Sequence, residues 1–415
     1  MSKFKRITAV AAAAALAGSL AACGSNTAYA YTINGERVDA GIYIYYSYVA
    51  YNDAINTLTE QDPELDTTDN DTVKKQQIDG KDTLVWIQDK AAKYCKEHYA
   101  VNNEFEAAGL SLTEETMDEV EETMDYMWNQ NAEKFEKNGI AESSVRDILE
   151  YTYKASDLFY YYYKIGGEKG VKEDEVYDYY VDNTARVQYI RFDAVDGAGE
   201  KLEGSAETKF KGMVDDYLEA VEKLSDEKKI GKEMDSIKEE YNAYVTSVSE
   251  EAAAEAAKTA TDENGELVTT TATTTTTESG TTTTTTTAPY ANEAIIAKVT
   301  TKEDTKEEDI TYTPNKTVYD FIFEKAKTNK PELIYDEESN SYWLVVRYDI
   351  EERMTEDDLW TDDLKEGVVS AMYSDSFQDM LDEWVANLDV KVNDAAIKRY
   401  DPFKIDFSDE TAQTT

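Results

Sequence analysis

The sequence predicts an α+β fold with a mainly helical first part and a mixed second part. Apolar residues recur at helical spacing through most of residues 31–183. Strand-type alternation follows at Ala185–Val195, and the clearest strand of the chain is Tyr342–Ile350. Between these two strands, 15 of the 19 residues from Thr269 to Thr287 are Thr, a composition without the apolar period a packed element needs. At roughly 100 to 200 residues per domain, a chain of 415 residues suits two or three domains. With 41% hydrophobic residues and 31 Tyr it is too apolar to be a wholly disordered acidic chain.

Charge and composition narrow the chemistry. Asp and Glu number 87 against 42 Lys and Arg, a formal charge of −45. Such a polyanion lacks the cations that displace counterions from a phosphate backbone, so nucleic acid is not an expected partner. One His and two Cys cannot build a His-rich zinc site or a Cys cluster. No Gly-x-Gly-x-x-Gly, phosphate-cradling loop or Gly-x-Ser-x-Gly elbow occurs, and no cofactor or metal is expected. Asp66, Asp69 and Asp71 lack the central Gly and terminal Glu of a calcium loop and read as a solvated turn.

In chain order, Lys3, Lys5 and Arg6 precede an uncharged run, Ile7–Leu20, that is short for a membrane span and ends in small residues. Residues 1–22 therefore read as a signal peptide and 23–30 as a tether. Tyr31–Val38 alternates around Asn34-Gly35, a hairpin signal. Asp39 is placed to cap a helix over Gly41–Leu58 that is apolar nearly all round and so should be enclosed. Thr72–Ala108 reads as one long helix. Thr113 followed by Glu114 and Glu115 starts the next, which should stop at Asn138-Gly139. Helices to Tyr163 and around Val176 complete this part. Ala206–Val248 reads as helix in two pieces broken near Gly231, and Ala294–Val299 as a strand. Thr317–Lys327 is a helix, Leu333-Ile334 a short strand or turn, Asp362–Leu388 a final helix, and Tyr400–Phe407 an extended tail.

Leu20-Ala21-Ala22-Cys23 resembles the bacterial lipobox, which implies diacylglyceryl modification of Cys23 and an extracytoplasmic chain held to the membrane by lipid. Behind it stand the Asn-Gly hairpin, two long helices, Gly109-Leu-Ser-Leu-Thr-Glu-Glu115, Phe135-Glu-Lys-Asn-Gly-Ile140, Ser144-Val-Arg-Asp-Ile-Leu149 and Val171-Lys-Glu-Asp-Glu-Val-Tyr-Asp-Tyr-Tyr180. In this order they are similar to the N-terminal module of the SurA/PrsA family of extracytoplasmic foldases. The resemblance implies a SurA/trigger-factor-like helical chaperone domain over 31–183 that cradles unfolded polypeptide. It implies a remodelled parvulin-like α/β domain over 184–350, interrupted by the Thr-rich segment 259–289. Residues 351–408 would then be a C-terminal helix and tail packing back on the N-terminal helices.

The parvulin pattern has one His in its first strand and another in its last, and Tyr189 and Trp343 align with those positions. No His or Cys lies between Arg186 and Thr415, so the imidazole network that would lower a barrier of about 18–20 kcal/mol for amide rotation cannot form. The resemblance thus implies a holdase or foldase for unfolded or secreted polypeptides, with degenerate isomerase positions and no catalytic residue. Tyr45, Tyr48, Tyr160 and Tyr161 are the candidate client-binding residues, because Tyr offers large contact area with a polar tip; the other tyrosines of these runs are read as helix-interface fillers. His98 and Cys95 read as packed core residues. Two alternatives stay open: an active PrsA-type prolyl isomerase using Tyr189 with nearby Ser and Thr, and a surface lipoprotein that binds a solute or host ligand with the Thr-rich segment as a stalk.

Overall fold

The computed structural model describes residues 27–259, 290–301 and 310–407; Cys23 and the Thr-rich stretch from 260 to 289 lie outside them. Strands β1 (Tyr29–Ile33) and β2 (Glu36–Asp39) form a hairpin at Asn34 and Gly35, whose φ angles of +49° and +94° supply the twist that a two-residue loop requires. Helix α1, Ala40–Gln61, follows Asp39, whose side chain makes no capping bond. Ile42, Tyr43, Ile44, Tyr46, Ser47 and Ala50 are all buried, in line with its apolar circumference.

The helix expected from Thr72 to Ala108 is three pieces. Helix α2, Asn70–Val73, is followed by a two-stranded hairpin, β3 (Gln77–Ile78) and β4 (Lys81–Asp82), and α3 runs from Thr83 to Ala107. Asp79 and Gly80 both have positive φ, +54° and +72°, so the hairpin turn cannot be helical. Thr83 Oγ1 donates to the Gln76 carbonyl at 2.8 Å and fixes the restart. Ile78 stands two helical turns before Val85, so the apolar spacing of the sequence reads through the break. Helix α4, Glu114–Asn138, begins where the Thr113 hydroxyl accepts from the Thr116 amide at 3.1 Å, and ends at Gly139 with φ +84°. Helix α5 spans Glu142–Tyr163.

Next come α6 (Glu173–Asn183), β5 (Thr184–Asp193), α7 (Gly204–Glu222) and α8 (Glu227–Thr259). The helical break thus falls at 223–226; Gly231 lies within α8, facing the Gln188 side chain and the Tyr348 hydroxyl. Strand β6 is Ala294–Ala297, α9 is Lys316–Glu324, and β7 (Glu332–Asp336) gives Leu333 and Ile334 a full strand paired with β8 (Ser341–Tyr348). Helix α10 is Asp362–Ala386, β9 is Val390–Val392 and α11 is Asp394–Arg399. The tail expected to be extended contains a 3-10 turn at Pro402–Lys404, where Asp401 accepts from the Phe403 amide.

The chain divides into two compact units, residues 1–172 with 369–415, and residues 173–368. Helix α6 and residues 351–368 therefore belong with the second unit, whereas the sequence reading grouped them with the helical module and its C-terminal segment. In the first unit β9 pairs antiparallel with β1, Tyr31 opposite Val392 and Ile33 opposite Val390, giving the sheet order β2-β1-β9. A Cβ on Gly41 would collide with the Ser144 hydroxyl, so glycine permits the close approach of α1 to α5. Leu381 of α10 is buried with Val101, Phe105 and Leu158, and burying each such leucine contributes about 2 kcal/mol.

The second unit is built on an antiparallel sheet of order β6-β5-β8-β7. The two-residue period of β5 and β8 separates two cores. Ile190, Phe192, Leu344, Val346 and Tyr348 meet Phe210 and Val214 of α7 and Ile230, Met234 and Ile237 of α8. Ala185, Val187, Trp343 and Val345 meet Val318, Phe321 and Ile322 of α9. The chain is thus mixed α+β, and no helix among the described residues is long and apolar enough to cross a membrane.

Candidate functional site

The four tyrosines singled out for client binding all lie in the first unit and all are half-buried. They form two pairs on different helices. Tyr48 packs its ring on Phe407, 4.3 Å between centroids, and Tyr45 covers the cluster of Ile44, Met124 and Val145 that Tyr400, Ile405 and Phe407 also cover. Tyr160 lies edge-on to Phe159 at 5.1 Å, and Tyr161 edge-on to Tyr162 at 5.1 Å. The neighbours of the second pair dock the returning helix: Tyr163 stacks on Tyr373 at 5.1 Å, Phe159 meets Phe377 at 5.5 Å and Tyr162 meets Trp384 at 5.9 Å. Most of the tyrosine run at the end of α5 is therefore the seam that receives α10, and the four candidates do not converge on one face.

His98 is buried, as expected of a core residue. Its Nδ1 lies 2.9 Å from the Tyr46 hydroxyl and its ring stacks on Tyr151 at 4.8 Å and 9°. Burial lowers its pKa to about 4, so the imidazole is neutral at ordinary pH. Burial likewise pushes the Cys95 thiol well up, which keeps it protonated and inert. Both border a cavity of 220 Å³ together with Arg37, Tyr99 and Asn102. A larger cavity of 480 Å³ is lined by Thr27, Lys137, Arg399, Tyr400 and Lys404 among others, and a shallow cleft of 350 Å³ lies at the α4–α5 elbow beside Trp128. The acidic turn holds no calcium geometry: Asp66 accepts from the Thr68 amide at 3.1 Å, and Asp69 caps α2. No group of three or more His, Cys, Asp or Glu that could hold a metal occurs among the described residues.

In the second unit the two positions aligned with isomerase histidines are brought together. Strands β5 and β8 are neighbours, Tyr189 lies opposite Val345 and Trp343 opposite Arg191, and the two rings sit 5.6 Å apart at 54°. Trp343 is buried and Tyr189 half-buried, on the face covered by α9. Burial raises the Tyr189 pKa, so its hydroxyl stays protonated. The nearby hydroxyls have structural partners. Trp343 Nε1 donates to Ser341 Oγ at 2.9 Å, Ser341 shares a bond with Ser339 at 2.6 Å, and Ser339 donates to Asp336. Asn315 and Thr317 donate to the same carboxylate, tying the β7–β8 turn to the start of α9. An aromatic pair flanked by committed hydroxyls provides no general base at neutral pH.

The strongest electrostatic feature was not singled out by the sequence reading. Arg186 of β5 is 1% exposed. Its guanidinium bonds Glu293 twice, at 2.6 and 2.7 Å, meets Glu227 at 2.8 Å and donates to the Asp349 carbonyl at 3.0 Å. The rings of Tyr290 and Tyr348 lie 5.0 and 5.1 Å from it, and Arg353 faces Tyr290 at 4.2 Å. Burial alone would lower the Arg186 pKa, and Glu293 with Glu227 outweighs it, holding the charge in place. Its paired partner lies 107 residues away in sequence, beyond the reach of any local pattern. This clamp sits on the sheet face opposite Tyr189 and joins β5, α8 and the approach to β6. Comparison of the chain with protein-family models, with curated proteins and with solved structures yields no match.

Proposed function

We propose that the chain is a lipid-anchored extracytoplasmic holdase of the SurA/PrsA type, with a SurA/trigger-factor-like first unit and a parvulin-like second unit that has lost His-based catalysis. The observation that carries this reading is the return of residues 369–407 to complete the N-terminal helical unit, through the pairing of β9 with β1 and the seating of α10 on the aromatic end of α5. That closure is the arrangement which the resemblance of the N-terminal motifs implies. The absence of catalysis is supported by the Tyr189–Trp343 ring pair at the positions where parvulins carry imidazoles. Anchoring is supported by the Leu20-Ala21-Ala22-Cys23 run. The partners are unfolded or secreted polypeptides, and the membrane through Cys23.

Two assays on the intact chain test the reading. Equimolar protein should suppress aggregation of a denatured, unrelated protein. At substoichiometric amounts it should leave the rate of a proline-limited refolding reaction unchanged. Acceleration of that refolding would make the chain an isomerase using groups other than imidazole. Failure to suppress aggregation would leave the solute-binding or host-ligand lipoprotein as the better reading. Acylation is tested by mass spectrometry of the membrane-extracted protein, where Cys23→Ser should release the chain from the membrane fraction.

A further inference from the structure

We propose that the outer face of α4 and its elbow with α5 is where unfolded chains dock, and that it selects segments in which Lys or Arg stands beside apolar residues. The inference rests on the holdase reading and gives its client a chemistry. The cleft at the elbow is lined by the Trp128 indole, Gly139, Ile140 and Ala141, and by the carboxylates of Glu136 and Glu142, with no cation among the lining residues. Trp128 is half-buried and stacks on Phe135, 5.8 Å between centroids at 13°, so the ring is set in place before any ligand arrives. Upstream, from Glu114 to Glu133, the same helix carries eight carboxylates and no Lys or Arg.

These features complement one kind of segment. An aromatic face attracts an ammonium or guanidinium, and two flanking carboxylates neutralise it. Exposed Ala141, seated over buried Ile140, and the rim of the Trp128 ring offer apolar surface to its alkyl stem or to a neighbouring apolar side chain. The row of carboxylates along α4 draws in basic segments over a distance and repels acidic ones. A second copy of so acidic a chain is a poor occupant for the same reason.

The test uses the full chain and two labelled, unstructured peptides that share their apolar residues and differ only in carrying Lys or Glu beside them. Fluorescence anisotropy should give the Lys peptide about tenfold tighter binding, with the preference shrinking as salt rises. Glu136→Gln with Glu142→Gln, both at exposed positions, should weaken the Lys peptide several-fold and leave the Glu peptide unchanged. Replacing both by Lys should reverse the preference. Trp128→Ala should weaken the Lys peptide as well, and the paired Gln variant reads the same face without disturbing the stack on Phe135. Equal affinity for the two peptides, or variants that bind like the parent, would overturn the docking face while aggregation suppression by the parent keeps the holdase reading. Absence of suppression would remove both. Self-association abolished by the Lys replacements would assign the face to a second copy and overturn the proposal.

Discussion

In the first unit the phenol of Tyr43, the hydroxyls of Ser47 and Thr83, the thiol of Cys95 and the imidazole of His98 are buried, every one neutral at pH 7. In the second unit the guanidinium of Arg186 is as deeply enclosed and is ringed by carboxylates. Glu97 is buried in the first unit too, yet it keeps Lys93 at 3.5 Å and Gln378 at 3.3 Å beside it near the surface. The first unit is thus held by aromatic packing and the second by packing plus an enclosed cluster of charges. A charge in a dry interior must have all its partners, so the second unit is the more exposed to single-residue damage there.

The two units should also respond to acid in opposite directions at these groups. Above pH 6.5 His98 is neutral in the folded and unfolded chain alike. Between 6.5 and about 4 only the unfolded chain binds the proton, so His98 withdraws stability from the first unit as pH falls through that window. Burial raises the Glu227 pKa against the pull of Arg186. The folded second unit therefore binds that proton more readily than the unfolded chain. Its contribution is present below the ordinary carboxylate range and is lost as pH rises through the raised value.

The largest effect is expected from Arg186→Leu, which strands Glu227 and Glu293 without their cation and should destabilise the second unit by about 3–5 kcal/mol. Hydrogen exchange resolved by residue should locate that loss in 173–368 and leave 27–172 protected; a loss spread over both units would break the contrast. Leu381→Ala should be the converse, costing the first unit about 2–4 kcal/mol and speeding proteolysis of 369–407. The single imidazole gives one resonance, whose titration by NMR should centre near 4; a midpoint near the ordinary 6.5 would mean that His98 is solvated. The smallest change is Glu227→Gln. It keeps an oxygen for Arg186 and removes a carboxyl that folding prefers protonated, so the unfolding midpoint of the second unit at pH 7 should rise slightly and its alkaline decline should flatten.

Legibility in the sequence followed the range of the interaction. The Asn34-Gly35 turn, the Thr113 cap and the stop at Gly139 are decided within a few residues, and each stands where the pattern places it. The β3–β4 hairpin was hidden because Ile78 stands two helical turns before Val85, so apolar residues keep a helical spacing across the turn. Gly231 misled because a glycine inside a buried helix obeys its neighbours, Gln188 and Tyr348, more than its own propensity. Of the candidate site, the pairing of Tyr189 with Trp343 was visible as two strand positions. The division of labour among tyrosines was not, since the sequence of Phe159–Tyr163 does not say which rings face Tyr373 and Phe377. The Arg186 clamp and the Trp128 cleft need tertiary contacts to exist at all.

The pairing of β1 with β9 sets a timetable. Ile33 finds Val390 only after nearly the whole chain has been delivered, whereas residues 173–368 form a continuous stretch that can close by itself. In a polypeptide threaded out of a membrane from its N-terminus, the first hairpin would therefore wait with one strand edge bare until its last strand arrives. This chain would then spend its own biogenesis in the vulnerable state that it is proposed to guard in others.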